Sequence, residues 1–145
     1  MTLVLEPGHL ALIREHGERD YPAETCGLLG GMVEEGRAVV REVVPLANER
    51  TDSARNRYLI DPLGFVRAQE KLDRAGLEVL GVYHSHPDHP PEPSAFDREN
   101  AWPQLSYVIV GVARGRAGEV KSWRLADDRT AFAEESITLE ERKVA

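Results

Sequence analysis

Three apolar runs rich in β-branched residues, AVVREVVPL (38–46), LEVLGVYHS (77–85) and LSYVIVGVA (105–113), limit what this chain can fold into. Each has the length and composition of a buried strand. Between them lie segments with helical spacing. Pro7 to Glu18 places Leu10, Ile13 and Gly17 on one face behind a proline suited to a first turn. A second helix is expected from the Asp61–Pro62 cap to the stop at Gly76, with Leu63, Val66 and Leu72 as its apolar positions. SAFDRENAW (94–102) reads as a short third helix stopped before Pro103.

LLGGM (28–32), the turn VEEGR (33–37) and the first apolar run form a hairpin, and RGRAGE (114–119) turns the chain into VKSWRL (120–125). The polar stretch 47–61 is a loop ending in a short strand at Tyr58 to Ile60. The charged tail from Ala126 carries a further strand around Phe132 to Leu139, as an edge element or a contact arm. This alternation predicts an α/β domain with a mixed β-sheet flanked by helices. A length of 145 residues suits a single domain, 1–145.

Charge narrows the partners. With 18 basic against 25 acidic residues the net charge is -7, which repels a phosphate backbone, so no nucleic acid partner is expected. No apolar run approaches the roughly 20 residues of a membrane span, and the start MTLVLEPGHL lacks a signal-peptide pattern. Both point to a cytoplasmic protein with no membrane partner. The lone Cys26 cannot form an internal disulfide, in keeping with a reducing compartment.

GVYHSHPDHPPEPSAFD (81–97) gathers three of the five histidines. His84 and His86 stand one residue apart at a strand end, so their side chains point to the same side. Asp97 opens the next helix and supplies a third ligand if the loop folds back. Two imidazoles and a carboxylate suit zinc with one position open, the catalytic rather than the structural pattern. His89 is an alternative fourth ligand. Ser94 and Asp97 also fit an S-x-x-D helix N-terminus, which accounts for those two residues but not for the paired histidines. Cys26 offers a rival thiol nucleophile, although its setting TCGLL favours a buried small residue. Tyr83 and Trp102 are expected in the core.

The string H-S-H-P, six residues, then S-x-x-D, with a glutamate upstream in PAETCGLL, resembles the JAMM (MPN-type) zinc metalloproteases, above all their small prokaryotic single-domain members. The resemblance runs over roughly residues 3–125 and includes the opening helix, ETCGLLGG, Asn48, YLIDP and YVIVGV in the family's order. It implies the JAMM/MPN fold, which is cytidine-deaminase-like, and one zinc ion held by His84, His86 and Asp97. It also implies Glu24 as the proton carrier and Ser94 as a donor to the tetrahedral oxyanion. The implied substrate is the amide or isopeptide bond after the C-terminal Gly-Gly of a ubiquitin-like or sulfur-carrier protein, cleaved to free a lysine or a carrier-bound cysteine.

The chain is too short for the insertions that read polyubiquitin linkages. A non-catalytic MPN scaffold is the alternative, disfavoured because the ligands, Ser94 and Glu24 are all kept. A zinc deaminase needs H-x-E followed by P-C-x-x-C, and with a single cysteine that pair of motifs is not here. Arg50, Arg55 and Arg57 read as solvated loop charges rather than as a docking patch. Oligomeric state is left open by the sequence.

Overall fold

Every apolar run is a strand in the computed structural model, which describes residues 1–47 and 62–141. The elements are β1 (Thr2–Leu5), α1 (Pro7–Asp20), β2 (Cys26–Glu34), β3 (Arg37–Leu46), α2 (Pro62–Arg74), β4 (Glu78–Pro87), α3 (Ala95–Asn100), β5 (Ser106–Ala113), β6 (Arg116–Leu125), β7 (Phe132–Glu135) and β8 (Ile137–Leu139). The described strands form one eight-stranded sheet in the order β7-β6-β5-β4-β2-β3-β1-β8. It is mixed: β4 runs parallel to β5, and β1 runs parallel to β3 and β8, while the other pairs are antiparallel.

Alternation along the strands produces two cores, one on each face. Leu29 and Tyr83 pack with Ile13 of α1, whereas their chain neighbours Leu28 and Val82 pack with Ala68 and Leu72 of α2. Gly17 lets α1 approach closely, since a Cβ there would sit 3.1 Å from Val112 Cγ2 and 3.6 Å from Ser85 Cβ. The β2–β3 turn needs positive φ at Glu35 and Gly36, at 51° and 74°, as two-residue hairpin turns do.

The structure corrects several sequence expectations. β1 precedes the first helix; four residues were too few to display a period. The α2 stripe is displaced: Leu63 and Val66 are 55% and 45% exposed, and the core-facing positions are Phe65, Ala68 and Leu72. Those three share helical spacing as well, so periodicity alone did not choose between the faces. Trp102, expected in the core, is 65% exposed, while Tyr83 is fully buried. The tail holds two strands, on opposite edges of the sheet, and only Ser136 lies between them. One residue spans under ~4 Å, so the sheet curls until its edges meet. Ser136 carbonyl duly accepts from Leu3 N–H at 2.9 Å. Asn48, Arg50, Arg55, Arg57, Asp61 and the strand expected at Tyr58 to Ile60 lie outside the described residues. No helix among the described residues is long and apolar enough to cross a membrane.

β7 is secured by one buried carboxylate. Glu135 accepts from Ser106 Oγ at 2.7 Å, Ser122 Oγ at 2.8 Å and Arg124 Nε at 2.9 Å, joining β5, β6 and β7. Removing it strands the Arg124 charge and two buried hydroxyls. Glu135→Ala is therefore expected to lower the unfolding free energy by about 3 kcal/mol, read from urea midpoints.

Candidate metal centre

His84 and His86 lie on the α2 face of β4, in register with Ile109 and Gly111 of β5. Both are buried, and their Nε2 atoms are 3.2 Å apart. His86 Nδ1 is 2.9 Å from the Pro90 carbonyl, which can only accept, so Nδ1 carries the proton and the neutral ring keeps its Nε2 lone pair inward. The loop that supplies this carbonyl is itself held by Trp123 Nε1–H, which donates to the Pro91 carbonyl at 2.9 Å.

Asp97 reaches the histidines from the first turn of α3. Its Oδ1 is 3.3 Å from His84 Nε2 and its Oδ2 3.1 Å from His86 Nε2. A capping box fixes it: Ser94 N–H donates to Asp97 Oδ2 at 2.8 Å, and Asp97 N–H donates to Ser94 Oγ at 3.1 Å. At the other end of α3 the Arg129 guanidinium donates to the carbonyls of Ala101, Arg98 and Glu99 at 2.8, 3.3 and 3.4 Å. A cation there also suits the negative end of a helix.

Glu24, 2% exposed, stands two residues before Cys26, which is paired with His84 in the β2–β4 ladder. Among the described residues, Glu24, His84 and His86 form a group whose ligand atoms all lie within 4.8 Å of one another, so it could hold a metal ion. Beside it opens a cavity of about 380 Å³ lined by Glu24, His86, His89, Glu92, Ser94 and the ring walls of Pro87, Pro90 and Pro93. His89 thus faces the cavity without joining that group. Residue spacing gathered His84, His86, Ser94 and Asp97, and only the family resemblance added Glu24; the structure has all five side by side. Sequence reasoning missed the Pro90 carbonyl, Trp123 and Arg129, for which no local pattern exists.

Protonation follows from the surroundings. Burial pushes the His84 pKa down, only partly offset by Asp97. For His86, burial also works downward, but the hydrogen bonds to Asp97 and Pro90 and the nearby carboxylates outweigh it and raise the pKa. Burial pulls the Asp97 carboxyl up, yet His84, the bonds from both imidazoles and the Ser94 N–H hold it well below the usual carboxylate range. Asp97 is therefore ionised and His84 neutral. Two imidazole Nε2 atoms and a carboxylate converge within 3.3 Å, an arrangement that a shared proton or a metal cation would stabilise. The donor set fits a divalent ion of the nitrogen- and oxygen-preferring kind.

Residues 6–126 match the family of prokaryotic homologs of the JAB domain. The chain belongs to that family. This JAB-domain chain is 38% identical over 117 residues to a probable TtuB-protein conjugate cleaving protease of Thermus thermophilus, covering 81% of this chain and 75% of the relative. It is 40% identical over 101 residues to a desampylase of Haloferax volcanii, covering 69% and 70%. It is 31% identical over 143 residues to a CysO-cysteine peptidase of Mycobacterium bovis, covering 97% and 93%. Among solved structures, a protein from Desulfitobacterium hafniense superposes with a TM-score of 0.84 at 31% identity over 97% of this chain and 94% of that one. A JAB1/MPN domain protein from Archaeoglobus fulgidus shares the fold, with a TM-score of 0.57 at 20% identity over 95% and 99% of the two chains.

Cys26 is unsuited to attack. It is fully buried, and burial, with the Asp20 and Glu24 charges, pushes its thiol up to about 12. Iodoacetamide should label Cys26 of the folded protein at least ~100-fold more slowly than the urea-unfolded chain, followed by mass spectrometry. The histidines make a second expectation. His16 and His84 are both lowered from 6.5, so as pH falls through that value the unfolded chain binds protons that the folded one refuses. His86, shifted upward, opposes with a single proton. Chelator-stripped protein should accordingly have a smaller unfolding free energy at about pH 5.5 than at about pH 7.5, measured by urea titration.

Proposed function

We propose that this chain is a zinc-dependent peptidase, one catalytic domain over residues 1–145, that hydrolyses the amide or isopeptide bond after the C-terminal Gly-Gly of a ubiquitin-like or sulfur-carrier protein. The observation that carries this reading is the convergence of His84, His86 and Asp97 beside a buried glutamate at the edge of a cavity. Relatives named for cleaving a TtuB-protein conjugate and CysO-cysteine, and as a desampylase, support the substrate class. A cytoplasmic setting accompanies it, with Cys26 as a free thiol.

His84, His86 and Asp97 would hold the ion. When bound, zinc supplies Lewis acidity that polarises the scissile carbonyl and lowers the pKa of a water towards ~7. Glu24 takes the proton of the attacking water and returns it to the leaving amine, which a carboxylate lining the cavity can do without leaving its backbone position. Ser94 donates to the oxyanion. Its Oγ accepts from Asp97 N–H, so the hydroxyl proton remains free to point into the cavity; capping and oxyanion donation use different parts of one group. The proline walls keep the cavity rigid, a shape suited to an extended tail of small residues.

The test is hydrolysis of a carrier ending in Gly-Gly fused to a short peptide or to cysteine, with metal measured by elemental analysis. Wild type and Glu24→Gln should each hold one zinc, and kcat of the variant should fall by about 100-fold or more. Ser94→Ala should lose about 100-fold in kcat and about 1 kcal/mol of stability. His84→Ala and Asp97→Ala should lose the zinc. Zinc-loaded wild type that leaves every Gly-Gly carrier intact would sink the proposed substrate class.

A further inference from the structure

On the α1 face of the sheet, behind the centre, runs a largely buried polar chain that the reaction does not use. His16, 5% exposed, sits between the Tyr83 hydroxyl, 2.8 Å from Nδ1, and Asp20 Oδ2, 3.1 Å from Nε2. The same Asp20 oxygen accepts the Thr25 hydroxyl at 2.8 Å. Thr25 N–H donates to Ser85 Oγ at 2.8 Å, and Ser85 N–H donates back to the Thr25 carbonyl at 3.1 Å. Ser85 is the residue between His84 and His86, and Thr25 is the residue after Glu24. The chain of bonds therefore starts in the last turns of α1 and ends at both halves of the metal centre.

Residues 23–25 belong to neither α1 nor β2. The β2–β4 ladder begins at Cys26, so Glu24 lies just outside it, and the segment that carries it is anchored by the backbone bond from Ser85 to Thr25, by these side-chain contacts and by Ala23 N–H donating to the Asp20 carbonyl at 2.9 Å. Packing adds direction. The Tyr83 ring lies over Gly27, where a Cβ would come within 2.2 Å of it, and this close approach carries the hydroxyl to His16. Burial keeps the His16 imidazole neutral, so it donates through Nε2 to Asp20 while Nδ1 accepts from Tyr83. Tyr83, His16, Thr25 and Ser85 are buried and Asp20, which joins them, is half-buried; such a linked polar set constrains geometry in a way that apolar replacements of equal volume do not.

We propose that His16 and Asp20 are positioning residues that hold Glu24 at the metal centre by fixing Thr25 against Ser85 from the opposite face of the sheet. The inference rests on the reading of Glu24 as the proton carrier. His16 and Asp20 touch no reacting atom; they restrict the excursions of a short irregular segment whose carboxylate must move a proton over hydrogen-bonding distance.

The test uses the full chain and five variants: Thr25→Val, which keeps shape and removes the hydroxyl; Thr25→Ser, which restores it; Asp20→Ala; Thr25→Val combined with Asp20→Ala; and His16→Phe. Amide hydrogen exchange at residue 25 is read by NMR on each, with bound zinc, kcat and KM on the Gly-Gly fusion. Thr25→Val and Asp20→Ala should each exchange at residue 25 at least tenfold faster, with kcat down about tenfold, KM within twofold and zinc retained. Thr25→Ser should lie within threefold of wild type in both rates, and Thr25→Val combined with Asp20→Ala should be no worse than either alone. His16→Phe should follow Asp20→Ala; if it fails to fold, the threonine pair decides. Exchange within twofold of wild type in Thr25→Val overturns the clamp, whether or not the wild type cleaves the fusion. Faster exchange with unchanged kcat overturns its link to Glu24. An inactive wild type that holds zinc counts instead against the proposed function, and exchange alone then judges the clamp.

Discussion

The pairing of Cys26 with His84 across the β2–β4 ladder is the contact on which the site depends. It puts Glu24, two residues upstream, beside both histidines, and it fixes which face of β4 they occupy. Since side chains alternate, a slip of one residue would turn His84 and His86 towards α1 and bring Tyr83 and Ser85 to the cavity side. Burial of β4 between β2 and β5, with a different core on each face, makes such a slip costly. The register is thus enforced by hydrophobic packing, and the chemistry inherits it.

Around that ladder the site is assembled by polar groups that would be unfavourable singly. Ionised Asp97, neutral His84 and the Pro90-oriented His86 direct their oxygen and nitrogen atoms at one point. Each is held by a neighbour whose other role is structural: the α3 cap for Asp97, the proline loop for His86, and Ser85 for the segment bearing Glu24. Stability and function draw on the same bonds here. The Ser94 hydroxyl shows this most directly, because it caps a helix through its lone pair and keeps its proton for other use.

Much of this architecture was legible in the residues. β-branched runs bounded by turns gave the strands of the mixed sheet, and the one-residue spacing of His84 and His86 at a strand end gave their shared face. The S-x-x-D spacing of Ser94 and Asp97 anticipated the capping box. What escaped had physical reasons. β1 has four residues, too few for a period, and the strand expected over Phe132 to Leu139 divides at Ser136 into β7 and β8 because partners are offered on opposite sheet edges. Leu63 and Val66 face outward because the sheet selects the stripe through Phe65, Ala68 and Leu72. Exposed Trp102 was misjudged on size alone, although its backbone N–H is engaged by the Tyr107 hydroxyl at 2.8 Å.

By itself the sequence determined the kinds of group available and their local directions: two imidazoles on one side of a strand, a carboxylate in the first turn of a helix, a buried thiol among apolar neighbours. Those follow from backbone periodicities of two and 3.6 residues, which act over a few positions. Only the tertiary structure decided that Glu24 meets the histidines, that Pro90 sets the His86 tautomer, and that His16 and Asp20 reach Thr25 behind the sheet. The first of these joins residues far apart in the chain through strand register; the His86–Pro90 and Asp20–Thr25 contacts are close in sequence but lie in segments with no repeating conformation, placed by the loop's packing and by how closely α1 approaches at Gly17, quantities that no local pattern contains.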